Sequence, residues 1–188
     1  MDKNSERLLD EIAILEYRAG KVEALEKLIT RWQVRLHAYL ASMLENRGDA
    51  WDVSQEVWLA VIAALNRKGE IANFPGWLFA VARNKCLARR RDKHVSLDEE
   101  TLEGPSEGDE AVAAAIAAED ARMLSQCIAQ LPSAHREALA LHYVDDLSVG
   151  EIGEILGIPV GTVQTRLFYA RRKLKALLGR KGYGDEGR

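Results

Sequence analysis

The chain has 188 residues, with 26 Lys and Arg against 29 Asp and Glu, a formal net charge of −3, and 47% apolar residues. That composition belongs to a soluble globular protein of one or two small domains, and four prolines with 14 glycines exclude a collagen-like or loop-dominated chain. The longest strictly apolar run, the nine residues from Val57 to Leu65, falls far short of the roughly 20 that span a membrane, and the polar start Met1-Asp2-Lys3-Asn4-Ser5-Glu6 leads into no signal-peptide core.

The periodicity is helical nearly throughout. Leu8, Leu9, Ile12 and Leu15 mark a short first helix, which Gly20 separates from a longer one. In the longer helix Leu25, Leu28, Ile29, Trp32, Leu36, Tyr39, Leu40 and Met43 step by three and four, the spacing of one buried stripe. Gly48-Asp49 is expected to end that helix and cap the next, which carries Val53, Val57, Val61 and Leu65. A polar loop follows from Arg67 to Asn73. Phe74, Trp77, Leu78, Val81 and Leu87 then define a fourth helix. Residues 94–110, rich in Glu, Gly, Ser and Asp, have too few apolar groups to offset the entropy of ordering and read as a linker.

Beyond the linker a helix is expected over about 109–130. After Pro132 comes another, with Ala138, Leu139, Leu141 and Tyr143. Ser148-Val149-Gly150-Glu151 has the form of a capping box. The helix it opens holds Ile152, Ile155 and Leu156 and stops at Gly157. Pro159 then opens a last helix with Val163, Leu167, Ala170, Leu174 and Leu177/Leu178 on its inner face. Two helices joined by a tight turn, the second with a basic outer face, make a helix-turn-helix. No segment alternates as a strand does. The fold class is therefore all-α: two small helical domains joined by an acidic flexible linker, the second with a helix-turn-helix. The expected boundaries are 1–94, linker 95–119, 120–178, and a disordered tail 179–188.

The net charge conceals a pattern. Residues 1–94 balance to +3, residues 95–129 to −8, and residues 130–188 to +2. Arg83, Lys85, Arg89, Arg90, Arg91 and Lys93 cluster before the linker, and Arg166, Arg171, Arg172, Lys173 and Lys175 cluster near the end. Two basic stretches on a tether suit two nucleic-acid-facing domains, although each stretch alone also reads as a solvated helix face. Cys86 and Cys127 suit neither a disulfide framework nor a zinc site and are expected as buried hydrophobes. His37, His94, His135 and His142 form no metal spacing. With no phosphate loop or nucleophile motif, neither a cofactor, a metal nor catalysis is expected.

At this point the residues resemble a family. Asp49-Ala50-Trp51-Asp52-Val53-Ser54-Gln55-Glu56, then Phe74-Pro75-Gly76-Trp77-Leu78-Phe79-Ala80-Val81-Ala82-Arg83-Asn84, then Leu131-Pro132 with Arg136-Glu137 and the run Gly157 to Leu167, are similar to the signatures of bacterial sigma factors of the extracytoplasmic-function type, in order and spacing. The resemblance covers about residues 12–94 and 120–178. It implies an alternative sigma factor, cytoplasmic, that binds core RNA polymerase through its β′ clamp and β flap, reads promoter DNA and is held by an anti-sigma protein.

The residues give each implied role a physical reason. On a helix Asp49, Asp52 and Glu56 share one face with Gln55 beside it. An acidic, amide-bearing face wants a basic partner, and the resemblance implies the β′ clamp coiled coil. Helix-dipole complementation also accounts for Asp49 and Asp52, but not for Gln55 and Glu56. The resemblance further implies that Asn73, with Ile71 and Ala72, forms a pocket for a flipped base of the melted minus-ten element. It places Trp77, Arg83, Asn84, Lys85, Arg89 and Arg90 on the same strand; by its apolar stripe alone Trp77 reads as core. In the last helix Gln164, Thr165, Phe168 and Tyr169 point outward, where Gln suits adenine and Thr or an aromatic ring suits a thymine methyl of the minus-thirty-five duplex. Arg166, Arg171 and Arg172 would grip phosphates. Two rivals remain: a helix-turn-helix regulator that acts without polymerase, and a sigma-like decoy whose only partner is an anti-sigma protein.

Overall fold

A computed structural model describes residues 3–44, 46–67, 69, 71–95, 112–143 and 147–180. The elements among them are eight helices: α1 (Lys3–Arg18), α2 (Glu23–Met43), α3 (Arg47–Asn66), α4 (Phe74–Val95), α5 (Val112–Ala129), α6 (Ser133–Tyr143), α7 (Val149–Leu156) and α8 (Val160–Arg180). The first four pack as one helical domain and the last four as another.

The first domain is built on the α2 stripe. Leu28, Trp32, Leu36, Tyr39 and Leu40 are all buried. Trp32 lies edge-on to Phe74 and Phe79 from α4, at 6.4 and 6.3 Å between ring centres, and Tyr39 meets Phe79 at 5.4 Å. Edge-to-face pairs of this kind add about 1 kcal/mol each beyond the area they bury. Asp10 of α1 is buried at the same place. It accepts from the Trp32 indole N–H at 3.1 Å and pairs with Arg31, which ties α1 to α2. Its carboxyl is held above the ordinary range, chiefly by burial, against the lowering effect of those two partners.

The turn between α2 and α3 departs from expectation. The cap is Asn46, not Gly48-Asp49: its side-chain oxygen accepts from the Gly48 backbone N–H at 2.8 Å. Asn46 is the first strong capping side chain the chain meets after α2 ends. Gly48 and Asp49 therefore lie inside the first turn of α3, where the Asp49 charge complements the helix dipole.

In the second domain the capping box is present in full. Ser148 accepts from the Glu151 N–H, and Glu151 reaches back to the Ser148 N–H at 2.9 Å. Gly157 closes α7 at φ 65°, a conformation that favours glycine. Gly153 is required for a different reason. A Cβ there would stand 3.0 Å from the backbone oxygen of Ile158, so the turn into α8 passes directly over it. The Pro159 carbonyl then accepts from the N–H groups of Thr162 and Val163. Val163, Leu167 and Ala170 are buried, with Leu174, Leu177 and Leu178 half-buried.

Part of the expected linker, from Val112 onward, belongs to α5. The acidic residues 96–111 lie outside the described residues, as does 181–188 of the expected tail, and α8 itself continues through Gly179 and Arg180. Cys86 and Cys127 are both buried, as expected.

The two domains are packed together. α6 lies against α2, and α7 lies against α4. Ala138, Leu141, Leu147, Ile152 and Leu156 join one continuous apolar core with the side chains of α2, α3 and α4.

Candidate nucleic-acid interface

The residues singled out on α3 divide by burial. Asp49 is 7% exposed and receives two hydrogen bonds from Arg89, at 2.9 and 3.2 Å. That bond raises the Arg89 pKa above its ordinary value, against a smaller opposing effect of burial. Asp52 and Gln55 are exposed, and Glu56 is half-exposed with Lys85 Nζ at 2.9 Å. Asp52 reaches Arg89 at 3.5 Å. The expected acidic face thus exists as Asp52, Gln55 and Glu56, while Asp49 sits beneath it and orients Arg89.

The basic residues of α4 do not form one track. Helical geometry puts Lys85 and Arg89 on one face and Arg83 and Arg90 on another. The first pair turns toward the α3 carboxylates. Arg83 turns toward the second domain, where its Nε donates to Glu137 at 2.9 Å. Asn84, Arg90 and Arg91 are exposed. Asn73 caps α4 by accepting from the Gly76 N–H at 3.2 Å, and its amide donates to Glu151 at 3.0 Å. Trp77 is half-buried against the core beside Phe74, at 6.4 Å. Ile71 is half-buried and Ala72 exposed in the loop before α4.

On α8 the pattern is simpler. Gln164, Thr165, Phe168, Tyr169, Arg171 and Arg172 are exposed, and Arg166 is half-buried. The Thr165 hydroxyl donates to the Gly161 carbonyl at 2.8 Å. Phe168 and Tyr169 meet edge to face at 5.4 Å, and the His135 ring stacks over Tyr169 at 6.3 Å. Arg171 Nε donates to the Tyr143 hydroxyl at 2.8 Å, with its guanidinium 5.4 Å from the Tyr143 ring centre.

Sequence reasoning did not assign Tyr143 and His135 to this surface. Both come from α6, and only the packing of α6 on α8 brings them there. It also gave no interdomain role to Glu137 or Glu151. Glu137 is 7% exposed and accepts from the Tyr39 hydroxyl as well as from Arg83. Burial, and then the Glu137 charge, push the Tyr39 phenol well above its ordinary pKa. The same two causes push the Cys86 thiol up to about 12, which leaves it protonated and unreactive at neutral pH. Among the described residues no group of three His, Cys, Asp or Glu side chains is placed to hold a metal, and no helix is long and apolar enough to cross a membrane.

A helical domain with an acidic and a basic helix side by side is thus followed by one that displays a polar-aromatic helix. The sequence matches the model of sigma-70 region 2 over residues 28–95 and that of sigma-70 region 4 over residues 121–174. It is 31% identical to the ECF RNA polymerase sigma factor SigW of Bacillus subtilis, covering 88% of this chain and 94% of that protein. It is 30% identical to the ECF RNA polymerase sigma-E factor of Escherichia coli, covering 90% and 94%. Among solved structures, CnrH in complex with the cytosolic domain of CnrY superposes with a TM-score of 0.66 at 27% identity, covering 92% of this chain and 98% of that one. The chain belongs to the extracytoplasmic-function family of RNA polymerase sigma factors. It binds RNA polymerase and directs transcription initiation, and it is not itself an enzyme.

Proposed function

We propose a division of labour among the helices. α3 docks on the β′ clamp through Asp52, Gln55 and Glu56, with Asp49 acting through Arg89. α4 and the loop before it hold the melted minus-ten strand, with Asn73 and Trp77 near the base and Arg83, Asn84 and Arg90 along the backbone; Lys85 and Arg89 reach the strand only by leaving Glu56 and Asp49. α7 and α8 act as a helix-turn-helix on the minus-thirty-five duplex while the second domain rests on the β flap. The acidic stretch 96–111 joins the two domains.

The observation that carries this reading is the sidedness of α8. Gln164, Thr165, Phe168 and Tyr169 face solvent together, while Val163, Leu167 and Ala170 anchor the helix from behind. A helix so anchored offers its first turns to the major groove, where Gln and Thr read base edges. Arg166, Arg171 and Arg172 supply phosphate contacts, Arg171 from a position fixed by Tyr143. Replacing Gln164 and Thr165 by alanine should shift preference at the minus-thirty-five element, with discrimination changing by about 1–3 kcal/mol per contact. Run-off transcription on promoters varied only at that element measures it; equal effects on all templates would refute the assignment.

The acidic α3 face is what disfavours a regulator that acts without polymerase. An anti-sigma protein is the regulator this reading implies. CnrH, which shares the fold, is solved with the cytosolic domain of a second protein. That supports a cytoplasmic partner for this chain and a cytoplasmic place for the chain itself.

A further inference from the structure

α6 passes beneath α8 and emerges on both sides of it. Leu139, near the middle of α6, and Ala170 of α8 are buried in one cluster with Leu131. At about 100° per residue, the two neighbours of Ala170, Tyr169 and Arg171, leave α8 on opposite flanks. The two ends of α6 meet them there. His135, one turn before Leu139, stacks over Tyr169 at 6.3 Å between ring centres. Tyr143, one turn after Leu139, holds Arg171.

Tyr143 is fixed from behind and open in front. Its ring meets the His142 ring edge to face at 4.9 Å, and His142 Nδ1 donates to the carbonyl of the buried Leu147 at 3.2 Å. The Tyr143 hydroxyl oxygen accepts from Arg171 Nε at 2.8 Å, with the guanidinium 5.4 Å from the ring centre. Tyr143 is nevertheless 62% exposed, and Arg171 is exposed as well. A phenol oxygen that accepts a bond still has its own proton to donate, and a guanidinium bound through Nε keeps both Nη groups as donors. The pair therefore offers solvent a positive charge and several converging donors, the complement of a phosphate.

We propose that Tyr143 and Arg171 form one binding site for a phosphate of the promoter duplex, which makes α6 part of the DNA-reading surface. Tyr143 donates its O–H to a phosphate oxygen, while its oxygen and ring hold Arg171 with the Nη groups toward the same phosphate. Arg171 is seven residues beyond Gln164, so it stands on the same line of α8, about 10 Å further along. With Gln164 at the base edges of a major groove about 12 Å wide, that step carries Arg171 to the backbone at the groove's rim. Holding the guanidinium in advance spares part of the cost of ordering it on binding. This inference rests on the reading of α8 as the helix that enters the major groove.

The test uses holoenzyme, reconstituted from core polymerase and the full-length chain. The probe is a fluorescent duplex that carries the upstream element of a promoter found by mapping the chain's transcript start sites. Affinity is read by anisotropy over a salt series for wild type, Tyr143→Phe, Tyr143→Ala, Arg171→Ala and the double variant Tyr143→Ala, Arg171→Ala. Arg171→Ala should weaken binding about tenfold and lower the slope of log affinity against log salt by about 0.9, the loss of one phosphate contact. Tyr143→Ala should weaken it by a similar factor, equally on templates that differ in base sequence, and the double variant should lose far less than the product of the two. Tyr143→Phe keeps the ring under Arg171 and removes only the hydroxyl, and should cost about three- to tenfold. Thermal melts run alongside. If Tyr143→Ala melts early, Tyr143→Phe carries the comparison.

Wild-type affinity for both Tyr143 variants would overturn the proposal, and so would single losses that multiply in full. A change in base preference, in place of uniform weakening, would overturn the phosphate assignment. The underlying reading is judged separately, by Gln164→Ala with Thr165→Ala: unaltered preference at the upstream element would remove α8 from the groove, whatever the Tyr143 variants do.

Discussion

Charge reversal on α3 separates the docking face from the fold. Asp52 and Glu56 make surface ion pairs, at 3.5 Å to Arg89 and 2.9 Å to Lys85, with side chains 64% and 45% exposed. Pairs so open to water contribute at most about 1 kcal/mol each. The double variant Asp52→Lys, Glu56→Lys should therefore melt only about 2–8 °C below wild type for a chain of this length. At a buried interface the same charges matter more, because removing one partner of a desolvated, hydrogen-bonded pair costs about 2–5 kcal/mol. Affinity for core polymerase should fall by at least about a hundredfold. Asp49→Asn is the counterpart. Asp49 is buried with two bonds from Arg89, so its loss should appear mainly as a lower melting temperature. Fluorescence-detected binding to purified core and thermal melts read the two quantities. Core affinity within twofold of wild type for the double variant would refute the docking face.

Other outcomes follow from the second domain. Gly153→Ala should destabilise by about 1–3 kcal/mol, because the new Cβ meets a backbone oxygen that cannot step aside. Gly161→Ala, with nothing within 4 Å, should be neutral or stabilising by up to about 1 kcal/mol; equal melts for the two variants would show that the turn does not pass over Gly153. Burial tends to raise the Glu151 pKa, but the Ser148 hydroxyl and N–H, the Arg7 charge and the Asn73 amide outweigh it and leave the group below its ordinary 4.5. A carboxyl depressed in the folded state adds stability above 4.5 and loses it as pH falls through the folded value. The stability gap between wild type and Glu151→Gln should thus be full at pH 7 and shrink below pH 4.5 in denaturant titrations. A gap independent of pH would contradict it. Asp10, raised by burial, titrates in the opposite sense and cancels from the comparison.

What the sequence showed and what it hid have one physical source. Contacts three or four residues apart leave a period, so the stripes of α2 and α8, the Ser148–Glu151 box and the Gly157 stop were all legible before folding. The cap of α3 was misread because Asn46 and Gly48-Asp49 carry competing turn chemistry within four residues, and Asn46 comes first. Pairs between distant segments leave no period. Arg83 and Glu137 are 54 residues apart and Asn73 and Glu151 are 78 apart, so the basic run of α4 looked like one open track. Folding divides it, with Lys85 and Arg89 facing the acids of α3 and Arg83 facing the second domain. Tyr143 was visible as a helix residue, but only the packing of α6 on α8 puts its hydroxyl against Arg171.

The central claim is that this chain gives core RNA polymerase its choice of promoter. Mapping transcript 5′ ends on genomic DNA, with core enzyme alone and with core plus the full-length chain, tests it directly. The account predicts a discrete set of new start sites that share an upstream pair of elements at fixed spacing. Those sites should weaken with Asp52→Lys, Glu56→Lys. The same start sites with and without the chain would contradict it.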